Sequence, residues 1–89
     1  MDYPSVKPFC ENSGNNTLVE IGSLRLYFSY DTIIAFNSPK GSATRQNDWA
    51  QVTGKHLNAV EPDKSKRIDG SEFEKQLEKI LKYHKVGGI

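Results

Sequence analysis

Cysteine is almost missing from this chain, and an excess of one charge and long apolar runs are missing altogether. The single cysteine of the 89 residues, Cys10, can close no internal disulfide and can build no cysteine-based zinc site. No apolar stretch approaches the roughly 18 residues that a membrane helix needs. Residues 1–20 have neither the basic start nor the apolar centre of a secretory leader. A reducing, intracellular setting without membrane contact is therefore the expectation, and Asn15-Asn16-Thr17 reads as a chance match to the glycosylation sequon. Twelve basic residues face eleven acidic ones, for a net charge of +1. That balance argues against a general polyanion binder but leaves room for a local basic patch.

What is present first is a pair of hairpins. Gly22-Ser23 is a two-residue turn whose leading glycine suits the positive φ of a type II′ turn. Pairing outward sets Ile21 opposite Leu24, Glu20 opposite Arg25, Val19 opposite Leu26 and Leu18 opposite Tyr27. The charges then match, and Val19, Ile21, Leu24, Leu26 and Phe28 share one face. Asp31-Thr32 marks a second tight turn, with Ile33 to Asn37 returning as a third strand. Strict alternation puts Ile33 and Ala35 on one side. It puts Ile34 and Phe36 on the other, beside Leu18 and Tyr27. A sheet apolar on both faces must be covered on both, by helices, by an arm or by a partner.

Around these strands the signals are simpler. Residues 1–16, with Pro4, Pro8 and the run Asn12-Ser13-Gly14-Asn15-Asn16, read as an extended or flexible N-terminal arm whose Phe9 can anchor on the sheet or on a neighbour. Ser38-Pro39-Lys40-Gly41 is a turn, and Ala43 to Asn47 offers a short fourth strand. Asp48 resembles an N-cap for a short helix carrying Trp49, Val52, His56 and Val60 on one face, weakened by Gly54. A charged connection, residues 61–67, leads to a second helix. There Asp69 and Glu72 form a capping box, Ile68 staples against Phe73, and Phe73, Gln76, Leu77, Ile80, Leu81 and His84 trace one stripe up to Gly87 and Gly88. The expected fold class is α+β: a small antiparallel β-meander of three to four strands with a short helix and a C-terminal amphipathic helix. Residues 17–89 form its single domain.

Catalytic patterns find little support. Thr53-Gly54-Lys55-His56 is not a phosphate loop, because Trp49 stands where its first glycine is needed and His56 where Ser or Thr is needed. His56 and His84 lie 28 positions apart without ligand spacing, so no metal and no cofactor are expected. The acidic residues are scattered over turns and the last helix. The basic residues are more suggestive. Arg45, Lys55, Lys64, Lys66 and Arg67 concentrate in the second half, where a patch beside Trp49 or Tyr27 could follow a single strand by phosphate contacts and stacking.

The run Leu26-Tyr27-Phe28-Ser29-Tyr30-Asp31-Thr32 with Ala35-Phe36, then Asn47-Asp48-Trp49 and Thr53-Gly54-Lys55-His56-Leu57-Asn58, resembles small uncharacterised proteins of tailed phages over about residues 17–81. Ile33-Ile34 departs from it where relatives are expected to carry proline. The resemblance implies a phage origin and action in the cytoplasm of an infected bacterial host, and it transfers no catalytic residue. The leading expectation is a non-enzymatic accessory protein that binds a protein partner, modulating a host or anti-phage machine, through Leu18, Tyr27, Ile34, Phe36 and Phe9. The alternative is a small nucleic-acid-binding protein using Arg45, Trp49, Lys55, Lys64, Lys66 and Arg67. A third reading is a homo-oligomer built through the exposed sheet face or edge.

Overall fold

The computed structural model describes residues 5–10, 14–47 and 51–85. Strands β1 (Ser5–Lys7), β2 (Asn16–Ile21), β3 (Leu24–Ser29), β4 (Thr32–Ser38) and β5 (Gly41–Thr44) lie in chain order in one antiparallel sheet. Helix α1 (Gln51–Val60), a 3-10 turn (Lys64–Lys66) and helix α2 (Gly70–His84) follow. The fold is α+β, with one strand more than expected. That strand is β1, where Val6 lies opposite Val19 and Lys7 opposite Leu18.

The first hairpin follows the turn chemistry. Gly22 takes φ 60°, and the pairs Ile21–Leu24, Glu20–Arg25, Val19–Leu26 and Leu18–Tyr27 form in the expected register. Arg25 Nε reaches Glu20 at 3.1 Å, and Lys7 of β1 reaches the same carboxylate at 3.1 Å. The second turn sits one residue earlier than expected, on Tyr30-Asp31, because Thr32 is already paired with Ser29.

Strict alternation fails in β4. The register shifts between Tyr27 and Phe28: Tyr27 faces Ala35, Phe28 faces Ile33, and Ile34 is the extra residue of a β-bulge. Phe36 is thereby turned onto the face of Leu26, away from Leu18 and Tyr27. It joins Leu24, Leu26, Phe73, Leu77 and Ile80 in the core under α2, with Phe28 and Ile33 packed against it. Burying each of the large α2 side chains stabilises the fold by about 1.5–3 kcal/mol.

The opposite face, carrying Tyr27 and Ser29, is covered by α1, whose His56 meets Ser29 directly. The rings of Phe9 and Tyr27 meet nearly at right angles, with centroids 5.2 Å apart. Both apolar faces are therefore closed by the chain itself, in three layers with the sheet in the middle.

Helix α2 begins and ends for local reasons. Asp69 accepts from the Glu72 backbone N–H at 3.0 Å, as an N-cap should. The return half of the capping box is replaced, since Glu72 accepts from Gln76 instead. Ile68 packs onto the cluster containing Phe73, as a staple does. At the far end Lys85 itself takes the left-handed conformation, with φ 55°. Gly87 and Gly88, the expected terminators, lie outside the described residues, as does the expected N-cap Asp48 of α1.

Candidate functional site

Between α1 and α2 the chain makes a tight polar turn that sets several cations. Asp63 caps the 3-10 turn, accepting from the Ser65 backbone at 3.0 Å and from the Ser65 hydroxyl at 2.6 Å. The Ser65 hydroxyl and then its N–H hold this carboxyl below the ordinary aspartate range, with Lys66 adding to the effect. The next residues are clipped along β5: Ile68 N–H donates to Thr44 and Gln46 N–H to Ile68, at 2.9 and 2.7 Å.

Arg67 lies between these anchors and turns inward, 8% exposed. Its Nε and Nη2 donate to the Glu61 carbonyl at 3.1 and 2.8 Å, and Nη2 also donates to Asn58 Oδ1 at 2.8 Å. The same guanidinium that cancels two acceptors at the end of α1 is thus fixed in place. Charge-assisted bonds of this kind are worth about 1.5–3 kcal/mol each when intact.

Two open clefts flank the turn. The first, of about 410 Å³, is lined by Gln46, Asn47, Gly54, Asn58, Lys64 and Arg67. Lining the second, of about 360 Å³, are Tyr27, Asn37, Ser42, Thr44, Glu61 and Lys66 among others. Lys64 and Lys66, two residues apart, therefore serve different clefts.

A separate buried node ties down the N-terminal segment. Asn16 Oδ1 accepts from the N–H groups of Phe9 and Cys10, at 2.9 and 2.8 Å, while Nδ2 donates to the Cys10 carbonyl at 2.9 Å. His56 is 0% exposed and bridges Ser29 Oγ at 2.7 Å and the Gly14 carbonyl at 3.0 Å. A carbonyl only accepts, so Nε2 donates, and in the neutral ring Nδ1 accepts from the Ser29 hydroxyl. A serine–histidine pair can activate a nucleophile, but here Ser29 is 3% exposed and the ring is spent on the fold.

A model of the DUF8033 family, a family of unknown function, matches residues 1–75. The chain belongs to the DUF8033 family. No curated protein and no solved structure matches it. The DUF8033 match includes the N-terminal segment, which the phage-protein resemblance over about residues 17–81 leaves out. Its inclusion agrees with β1 and the Asn16 node, which tie residues 5–10 to the sheet.

In this DUF8033 chain the residues expected at a protein interface are mostly interior. Leu18, Ile34 and Phe36 are 8%, 0% and 3% exposed, so they present no free apolar face. The bulge and the covering helices are the physical reasons. Phe9 and Tyr27 are half-buried against one another. Of the expected cations, Lys55, Lys64 and Lys66 are exposed, whereas Arg67 is internal. Arg45 is drawn away to α2, where it pairs with Glu74 at 3.0 Å and lies over the Phe73 ring. Trp49 lies outside the described residues. Among the described residues no group of three or more His, Cys, Asp or Glu is placed to hold a metal ion. No described helix is long and apolar enough to cross a membrane.

Asn47, Gln46 and Asn16 were not singled out by sequence reasoning. The asparagine run before β2 was the available signal, since an amide side chain can both donate to and accept from a nearby main chain.

Proposed function

We propose that this DUF8033 chain is a non-enzymatic accessory protein of phage origin, acting in the cytoplasm of an infected bacterial cell by binding single-stranded nucleic acid. The observation that carries this reading is the division of labour around the 3-10 turn. Lys64 and Arg67 line one cleft, while Lys66 and the half-buried Tyr27 line the other. Cations spaced along a surface follow phosphates, and an aromatic ring lining the same groove can add a contact that tolerates any base. Lys55 is exposed on α1, next in sequence to the cleft-lining Gly54. The modest net charge suits contact with a few phosphates rather than a long tract. The phage-protein resemblance supports the setting.

The test is fluorescence anisotropy of a labelled single-stranded oligonucleotide with the full chain and with a Lys55→Ala/Lys64→Ala/Lys66→Ala variant. Binding that is lost in the variant, with unchanged thermal unfolding, supports the reading. Equal binding by both proteins counts against it.

A protein partner is the second reading, and one observation favours it. Strand β1 ends the sheet, and its Val6 is 65% exposed. An end strand offers unpaired main-chain groups to an added strand, from a partner protein or a second copy of this chain. Affinity capture with and without nuclease separates the two readings. A stoichiometric protein that survives nuclease would favour strand addition.

A further inference from the structure

The cleft beside Arg67 has the chemistry of an anion site. Two of its six lining residues are cations, three are amides, one is glycine, and no carboxylate lines it among the described residues. Arg67 is more than nine-tenths buried and is fixed through Nε and Nη2. Its Nη1 makes no hydrogen bond among the described residues. A guanidinium already held rigid costs a ligand little ordering, and its planar donors suit phosphate oxygens.

Gly54 points the same way. It sits in α1, where glycine is less favourable than alanine. Its φ is not positive, so the backbone does not require glycine there. What a side chain would change is the wall: a Cβ at this position would lie 3.2 Å from Asn47 Nδ2. The missing methyl lets the Asn47 amide approach the helix at the edge of the cleft.

We propose that this cleft is a phosphate subsite, with Arg67 Nη1, the Lys64 ammonium and the Asn58 amide as its donors. A tetrahedral phosphate accepts from several directions at once, and this mix of donors on different elements fits it better than a planar carboxylate. The inference rests on the nucleic-acid reading, in which the phosphate belongs to the strand backbone. A free nucleotide carries the same group, and the experiment separates the sources.

The experiment is amide and arginine-Nε NMR of the full chain, titrated in parallel with inorganic phosphate, a nucleoside monophosphate and a short oligothymidylate. The expected result is that the Gly54, Asn58 and Arg67 signals move with all three, the oligonucleotide binding tightest. Lys64→Ala and Asn58→Ala should each weaken phosphate binding by about 10-fold, the scale of one lost charge-assisted hydrogen bond. Because Lys64 is exposed, Lys64→Ala should keep a native spectrum; Asn58→Ala also removes an acceptor of Arg67 Nη2, so its Arg67 Nε signal should move before any phosphate is added. Gly54→Ala should keep the fold and also weaken phosphate binding.

Oligonucleotide binding with shifts confined to other surfaces would overturn the subsite and leave the nucleic-acid reading standing. Shifts here with phosphate and mononucleotide, but no tighter oligonucleotide binding, would keep the subsite and remove that reading. No shift with any of the three would overturn both.

Discussion

Ser29 Oγ and His56 Nδ1 meet at 2.7 Å, joining β3 to α1 in a place water does not reach. The other ring nitrogen holds the Gly14 carbonyl, so one side chain links the sheet, the helix and the N-terminal segment. Replacing His56 by alanine should cost about 2–4 kcal/mol, from the cavity and the broken hydrogen bonds together. Ser29→Ala should cost less, about 1–2 kcal/mol. Urea unfolding of the two variants checks both the sizes and their order.

Asn16 should control access to Cys10. Its side chain grips the Cys10 N–H and carbonyl, and Cys10 is only partly exposed. Asn16→Ala should therefore speed the reaction of Cys10 with a thiol reagent several-fold under native conditions, in proportion to local opening. An unchanged rate, with the variant folded, would show that the node does not hold this segment.

Lys85 occupies the left-handed conformation that ends α2, where a Cβ is disfavoured by about 1–2 kcal/mol. Lys85→Gly should raise stability by about 1 kcal/mol and raise the midpoint of thermal unfolding. Lys85→Val should lower it.

Acid should weaken the fold through three carboxylates. Hydrogen bonds from Glu72 N–H and the Ser71 hydroxyl lower the Asp69 carboxyl, Ser65 lowers Asp63, and Lys7 with Arg25 lowers Glu20. Each is more acidic folded than unfolded, so its contribution is complete above its unfolded value, near 4. That contribution is lost as the pH falls through the lower, folded value. Stability measured by urea unfolding should thus be flat near neutrality and decline below about pH 4. Asp69→Asn, which keeps a capping oxygen but not the titration, should make that decline shallower.

How much of this was legible in the sequence depended on whether local chemistry decided the outcome. The register of β2 and β3 follows from Gly22-Ser23 and the Glu20–Arg25 match, because a two-residue turn fixes every pair beyond it. The start of α2 follows from Asp69 for a similar reason. The faces of β4 did not follow. One extra residue at Ile34 reverses the alternation, and no residue type there announces a bulge. Phe36 consequently went to the wrong face, and with Leu18 and Ile34 it suggested a free apolar surface that the chain covers itself. At the candidate site, Lys64 and Lys66 are exposed, as lysines of a charged connection usually are. That Arg67 alone turns inward is set by acceptors from Asn58 and Glu61, which only the folded turn brings together.

The most direct test of the central claim, that the cations around the 3-10 turn form the working surface, is the salt dependence of single-stranded oligonucleotide binding. If Lys55, Lys64 and Lys66 each neutralise one phosphate, affinity should fall about 20-fold between about 50 mM and about 200 mM salt. The variant lacking all three lysines should lose most of that dependence together with the affinity. Absence of binding at low salt, or binding indifferent to salt and to those lysines, would contradict the account.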